Sequence, residues 1–132
     1  APQEPHPDTA VSDVLDQARM LTVFVVLRKI EQAMGPLEIW PETHKLKEED
    51  GVTADRLLKA SRRVGMCVDK GTAVLMNSKT WHRGAGNYSR AIRPVFYFSF
   101  LGAGEIPDGH TWTIASELID KYRLKDLVAP CF

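Results

Sequence analysis

One stretch near the end of the chain decides the fold, namely TWHRGAGNYSRAIRPVFYFSF over residues 80–100. A short strand containing His82 leads through a glycine-containing loop into a second strand that begins at Arg93. Alternate residues of a strand share a face. One face of the second strand carries Arg93, Val95, Tyr97 and Ser99, and the other carries Phe96, Phe98 and Phe100. If the two strands pair as an antiparallel hairpin, His82 and Arg93 face the same interior, and this alternation favours that arrangement.

Further short strands precede this stretch. They are rich in β-branched and aromatic residues or bounded by Gly and Pro, and they span residues 20–27, 37–40 and 72–77. Helices are predicted over residues 54–63, where Thr53 is a candidate N-cap, and over residues 115–127, which carry a broadly apolar face. This pattern predicts an all-β core with peripheral helices, arranged as a sandwich or jelly roll.

The composition is that of one ordinary globular domain. The chain has 132 residues, of which 44% are hydrophobic and 26% charged, and its 17 basic residues balance 17 acidic ones. Because there is no net charge, we expect no binding to nucleic acid or to an anionic membrane surface. No apolar stretch is long enough to span a bilayer.

The two cysteines, Cys67 and Cys131, lie far apart and outside any CxxC pattern. We therefore expect neither a disulfide framework nor a structural zinc site, but free thiols in an intracellular, cytoplasmic protein. The chain opens at Ala1 rather than Met and shows no signal-peptide pattern. We expect a fragment or a trimmed product that lacks upstream sequence.

The N-terminal tripeptide His6-Pro7-Asp8 is a candidate metal motif. Pro7 favours extended conformations at His6. In an extended chain the side chains of His6 and Asp8 point the same way and can reach one ion. Such tripeptides also arise by chance at flexible termini, so the motif alone leaves both interpretations open.

His82 adds a second imidazole to this pair. Two histidines and one carboxylate form the facial triad that binds iron(II) and leaves three positions open, as O2 and a co-substrate require. The competing interpretation of a histidine in an apolar strand is a hydrogen-bonded core residue.

Arg93 is the candidate anchor for an anionic co-substrate. An inward guanidinium needs an anionic partner because an unpaired buried charge is costly. The dicarboxylate 2-oxoglutarate supplies one, since the guanidinium binds one carboxylate bidentately while the 2-oxo acid end chelates iron. A structural Asp or Glu is the competing partner. Thr22 is a further candidate contact with the co-substrate, with ordinary strand packing as its alternative.

In order along the chain, these motifs resemble the phytanoyl-CoA dioxygenase family. They are His6-Pro7-Asp8, LTVFVVL over residues 21–27, GPLEIWPETH over residues 35–44, WHRGAGNYS over residues 81–89, and Arg93. In that family an H-x-D motif, a PGSH-like turn and an H-x-G…N-x-S…R segment follow one another on a double-stranded β-helix. The similarity runs from Ala1 to about Phe100, and its specificity lies in the ordered set.

The resemblance implies that His6, Asp8 and His82 bind Fe(II) and that Arg93 anchors 2-oxoglutarate. It implies one double-stranded β-helix domain over residues 1–132 that uses O2 to hydroxylate a C–H bond of a small organic substrate, with release of succinate and CO2. The carboxylate of Asp8 favours hydroxylation, because related halogenases lack this ligand.

The chain departs from the family pattern in two places. Glu42 stands where the PGSH-like turn usually has Gly. The family's N-terminal helices and first strands do not precede His6, so we expect part of the pocket wall to be missing. Four other polar or aromatic residues are interpreted as turn, loop and packing residues, namely His44, Trp81, Asn87 and Ser89.

Two other functions fit parts of the same pattern. A non-catalytic jelly-roll binding module would keep the fold without turnover; the intact triad speaks against it and the abrupt start speaks for it. A cupin-like metalloenzyme that does not use 2-oxoglutarate would not need Arg93. The sequence does not identify the substrate or the oligomeric state.

Overall fold

A computed structural model of the chain describes residues 1–9, 20–46, 50–60, 62–102, 115–118 and 121. In these ranges six strands form two three-stranded antiparallel sheets, accompanied by one short α-helix. The elements are β1 (Met20–Val26), β2 (Leu37–Ile39), α1 (Ala54–Lys59), β3 (Val64–Gly65), β4 (Ala73–Asn77), β5 (His82–Gly84) and β6 (Val95–Leu101). The predicted mostly-β architecture with few helices is confirmed.

The larger sheet has the order β4-β1-β6, so β1 lies at its centre. The β-branched and aromatic residues of β1 suit a central strand that packs on one face. Its residues Met20, Thr22 and Val26 are buried, and they alternate with half-buried residues on the opposite face. Thr22 lies opposite Met76 of β4 and Ser99 of β6. The inward face of β1 therefore forms one wall of an interior cavity.

The smaller sheet has the order β3-β2-β5, and it places Ile39 of β2 opposite His82 of β5. Trp40, at the end of β2, is 2% exposed, and its indole N–H donates to the carbonyl oxygen of Leu57 at 2.9 Å. This bond ties α1 to the smaller sheet. The predicted cap is confirmed, because the Thr53 hydroxyl accepts from the backbone N–H of Arg56 at 3.2 Å.

The predicted hairpin between the His82 strand and the Arg93 strand is wrong. β5 pairs with β2 in the smaller sheet, whereas β6 pairs with β1 in the larger one. The connection crosses between the sheets because its backbone bonds elsewhere, from the N–H of Ala85 to the oxygen of Pro36 and from the N–H of Tyr88 to the oxygen of Ala33. His82 and Arg93 nevertheless line the same cavity, as predicted.

The predicted alternation along β6 is confirmed. The cavity is lined by Arg93, Val95, Tyr97 and Ser99. The phenylalanines of the other face pack against one another, with ring centroids 5.5 Å apart for Phe96 and Phe98 and 5.2 Å apart for Phe98 and Phe100.

The predicted helix over residues 115–127 lies largely outside the described residues, which include only a single 3₁₀ turn there, Ser116–Leu118. Cys131 also lies outside them, and Cys67 is an exposed free thiol. Among the described residues, no helix has both the length and the apolar character needed to cross a membrane.

Candidate metal centre

The N-terminal segment brings His6 alongside β5. The backbone N–H of each residue donates to the carbonyl oxygen of the other, both at 3.0 Å, so His6 and His82 form an antiparallel bridge. Directly opposed residues project to the same side of a sheet. The two imidazole rings are therefore close, with centroids 4.8 Å apart.

Both imidazoles present the same nitrogen to the cavity. Nδ1 of His6 lies 2.7 Å from the carbonyl oxygen of Glu4, and Nδ1 of His82 lies 2.9 Å from that of Thr80. A carbonyl oxygen only accepts, so each Nδ1 donates in its bond, and this tautomer of the imidazole carries its lone pair on Nε2. Metal-ligating histidines are held in the same way by backbone carbonyls.

Asp8 completes a group of three ligands. Its backbone N–H donates to the oxygen of Ser78 at 2.8 Å, and its Oδ1 lies 3.5 Å from Nε2 of His82. One ligand atom each from His6, Asp8 and His82 lies within 4.8 Å of the others. Adjacent ligands about 2.1 Å from an ion lie roughly 3 Å apart. The ligand atoms therefore have to close by up to about 2 Å to bind one ion, and two imidazoles with one carboxylate suit iron(II).

A cavity of about 540 Å³ opens in front of these ligands. Apolar side chains from both sheets and their connections line part of it, among them Met20, Val26, Ile30, Leu37, Val74 and Val95. The ring of Phe24 contacts His82 edge-on and stacks on Tyr97, with centroids 6.2 Å and 5.9 Å away. The ligands thus lie in a cavity with both polar and apolar walls that has room for small organic molecules.

Arg93 supplies a cation to the same cavity. Its Nη1 atom is buried and finds no hydrogen-bond partner among the residues that the structure describes. Burial lowers the pKa of Arg93 from its ordinary value, yet a guanidinium keeps its charge in proteins. The competing prediction of a structural Asp or Glu partner gains no support within the described residues, so this cation remains available to an anionic ligand.

Thr22 lies in the cavity wall, but its hydroxyl is directed at a ligand residue. It donates to Oδ2 of Asp8 at 3.2 Å and lies 3.1 Å from the hydroxyl of Ser99. Its predicted contact with the co-substrate stays a prediction.

Gln3 and Phe24 are among the cavity residues that were not predicted from the sequence. Gln3 accepts the backbone N–H of Gly84 through Oε1 at 2.8 Å, which anchors the N-terminal segment beside β5. No local pattern marks Gln3. Phe24 could have been found, because it alternates with Thr22 along β1.

The residues predicted to have structural roles lie outside the cavity lining. His44 belongs to the 3₁₀ turn Thr43–Lys45. Asn87 accepts from both the backbone N–H and the hydroxyl of Ser89, which shapes the loop as predicted. The indole N–H of Trp81 is buried and finds no partner within the described part of the chain.

Comparison with known proteins identifies the family. The model of the phytanoyl-CoA dioxygenase (PhyH) family matches residues 1–95. No curated protein matches the chain. Among solved structures, the chain is similar to one described as the non-heme alpha ketoglutarate dependent epimerase SnoN from nogalamycin biosynthesis, with a TM-score of 0.58 and 19% sequence identity.

That structural match covers 74% of this chain and 37% of the SnoN chain, so the chain spans well under half of the neighbour's length. At this identity the likeness supports the fold alone. The family model, in contrast, covers more than half of the chain, as residues 1–95 of 132. The chain belongs to the phytanoyl-CoA dioxygenase family.

Proposed function

We propose that this chain forms the catalytic centre of an iron(II)- and 2-oxoglutarate-dependent oxygenase that hydroxylates a C–H bond of a small organic substrate. One observation carries the proposal: a single cavity contains three clustered ligand atoms and a buried guanidinium nitrogen without a partner among the described residues. Family membership supports the same cofactor and co-substrate. The two sheets are proposed to be opposite walls of a double-stranded β-helix.

In this proposal His6, Asp8 and His82 bind iron(II) through their cavity-facing atoms. The bound iron, with 2-oxoglutarate and O2, supplies the oxidising power for C–H hydroxylation and releases succinate and CO2. The chain binds and orients these molecules. The two Nδ1–H bonds to carbonyl oxygens fix the ring orientations. The Arg93 guanidinium binds the distal carboxylate of 2-oxoglutarate, and the apolar wall limits water in the cavity.

Epimerisation of a carbon centre is a second candidate outcome, because the similar solved structure is described as an epimerase. It uses the same proposed site, so the residues named here do not discriminate between the two outcomes. Analysis of the product formed from a turned-over substrate decides between them: hydroxylation adds an oxygen atom, whereas epimerisation leaves the mass unchanged.

The first test is an anaerobic addition of iron(II) and then 2-oxoglutarate to the purified chain. We expect the visible metal-to-ligand charge-transfer band of an iron–2-oxoglutarate chelate. The band is expected to vanish in His82→Ala, which removes a ligand. In Arg93→Ala it should require a much higher 2-oxoglutarate concentration, because only the distal anchor is removed.

The alternatives give different results in the same experiment. A non-catalytic binding module would give no band although circular dichroism shows a folded chain. A metalloenzyme that does not use 2-oxoglutarate would bind the metal, and its affinity for 2-oxoglutarate would not depend on Arg93. Succinate release on admission of O2 then tests turnover.

A further inference from the structure

A line of two hydroxyl groups leads from β6 to the Asp8 carboxylate. The Thr22 hydroxyl donates its only proton to Oδ2 of Asp8 at 3.2 Å. Its oxygen also lies 3.1 Å from the hydroxyl of Ser99. Because the Thr22 proton is already used, Ser99 is the donor in this second bond. The hydrogen bonds therefore run in one direction, from Ser99 to Thr22 to Asp8.

The strands hold this arrangement in place. Thr22 and Ser99 are direct partners in the antiparallel pairing of β1 with β6, so their side chains meet on the cavity face. Thr22 is 2% exposed on the central strand, and its branched Cβ restricts its rotamers. The central strand β1 consequently fixes the position of the Thr22 hydroxyl that donates to Asp8. This position does not depend on the N-terminal segment that carries Asp8.

The two carboxylate oxygens of Asp8 have different surroundings. Oδ1 lies 3.5 Å from Nε2 of His82, on the side of the ligand cluster. Oδ2 is the atom bonded to Thr22. An oxygen that accepts a hydrogen bond from a fixed, buried hydroxyl is held away from the other ligands, which leaves Oδ1 directed at the metal position.

We propose that Thr22, supported by Ser99, is a positioning residue that makes Asp8 bind the metal through Oδ1. This inference rests on the proposed function, because it requires a metal at the site. It assigns to Thr22 a contact with the carboxylate of Asp8 rather than with the co-substrate. Hydrogen-bond partners of metal ligands typically contribute about 10–100-fold to metal affinity.

Cobalt(II) is the probe for the test, because it binds facial-triad ligands without oxygen chemistry and its visible spectrum reports the ligand geometry. Dissociation constants and spectra are measured for the parent chain and for Thr22→Val, Thr22→Ser and Ser99→Ala. We expect Thr22→Val to bind about 10–100-fold more weakly with an altered spectrum. Thr22→Ser restores the parent values, because it keeps the hydroxyl. Ser99→Ala has a smaller effect in the same direction, since Ser99 is exposed.

The control variant is Thr53→Val, which also removes a threonine hydroxyl that makes a hydrogen bond. The Thr53 hydroxyl accepts from the backbone N–H of Arg56 at 3.2 Å at the start of α1, and Thr53 is absent from the cavity lining. It should lose thermal stability but keep the parent cobalt affinity and spectrum. A general loss of stability therefore does not imitate the expected result.

The outcomes separate the two proposals. If the folded parent chain binds no cobalt, both the proposed function and this inference are overturned. If the parent binds cobalt and Thr22→Val matches it in affinity and spectrum, the inference alone is overturned. Should Thr22→Val fail to fold, Ser99→Ala decides: a spectrum and affinity equal to those of the parent would contradict the positioning role.

Discussion

At the scale of single residues, Arg93 and Arg83 show two different uses of an arginine. Arg83 lies 2.6 Å from the Glu38 carboxylate, whose side chain is 9% exposed, and Arg63 approaches the same carboxylate at 3.4 Å. That pair satisfies a buried charge. Arg93 instead has a buried Nη1 without a partner among the described residues. The first arrangement stabilises the fold, whereas a buried nitrogen without a partner lowers stability unless a ligand satisfies it.

The contrast predicts that replacing each arginine by methionine changes the free energy of unfolding differently. Arg93→Met should leave the free energy of unfolding unchanged or raise it, because it removes an unpaired buried group. It should also weaken 2-oxoglutarate binding roughly 100-fold, since a charge-assisted bidentate contact is lost. Arg83→Met should lower the free energy of unfolding by about 2 kcal/mol, because Glu38 keeps only Arg63. Urea unfolding and co-substrate binding measure both effects, and a clear destabilisation by Arg93→Met would contradict the assignment.

Glu42 occupies a left-handed backbone position where the family pattern usually has Gly. Its φ is 67°, in the left-handed region where a glycine is favoured. The Lys45 ammonium hydrogen-bonds its carboxylate and lowers its pKa, but both side chains are exposed, so this pair contributes little stability. The backbone thus keeps a glycine-like conformation with a glutamate in place.

Glu42→Gly should therefore stabilise the chain. Relief of left-handed strain in a residue with a Cβ is worth about 1 kcal/mol, which exceeds the small contribution of the exposed ion pair. Glu42→Ala is the control, because it removes the same exposed ion pair but keeps the strain, and its stability should stay close to that of the parent. Equal stabilities of the Gly and Ala variants in chemical denaturation would show that strain at this position is negligible.

At the scale of elements, five of the six described strands were predictable because their composition and alternation are local. The strand β3 and the end of α1 were not. The predicted helix over residues 54–63 stops at Lys59, and Ala60 is extended. Residues beyond it form β3, which pairs with β2 and brings Arg63 to Glu38. Pairing with a distant strand thus overrides local helix propensity, and no local pattern reports that pairing.

Gly35, in the turn before β2, packs against the loop that connects β5 to β6. Its φ is 69°, and a Cβ there would collide with the backbone oxygens of Ala85 and Gly86. Both obstacles are backbone atoms of the loop between His82 and Arg93. The turn before β2 and this loop therefore pack without space for a side chain.

Gly35→Ala should destabilise the chain by about 3 kcal/mol, because left-handed strain adds to overpacking. Gly71→Ala is the matched control: its φ is 87°, but nothing lies within 4 Å of the added Cβ, so only about 1 kcal/mol of strain is expected. Thermal unfolding compares the two variants. Equal losses would mean that the contact between the turn and the loop contributes nothing.

At the scale of the whole molecule, the sequence anticipated the candidate ligands but not their surroundings. His6, Asp8 and His82 were predictable because short ordered motifs mark them, and the structure brings them together. Their role as ligands stays a prediction. The Thr22 contacts with Asp8 and Ser99 join residues 14 and 77 positions apart. They depend on the register of β1 with β6, which sequence alternation alone does not specify.

The assembled site also predicts how a metal affects the stability of the chain. Two of the three candidate ligands lie on residues 1–9. Backbone bonds to residues 78–84, including the bridge between His6 and His82, and a few side-chain bonds hold this segment against the fold. An ion bound by His6, Asp8 and His82 therefore links the N-terminal segment to β5. A ligand that binds only the folded state stabilises it by about 2.7 kcal/mol at 100 times its dissociation constant.

We expect manganese(II) at that concentration to raise the Tm by roughly 10 °C and to slow hydrogen exchange at the amides of His6, Asp8 and His82. His82→Ala should lose both effects, because it removes the candidate ligand that β5 contributes. His44→Ala, which alters a histidine outside the cavity lining, should keep both. Stabilisation of equal size in His82→Ala would show that manganese binds elsewhere on the chain. Stabilisation without protection of the N-terminal amides would show that the ion does not link residues 1–9 to β5.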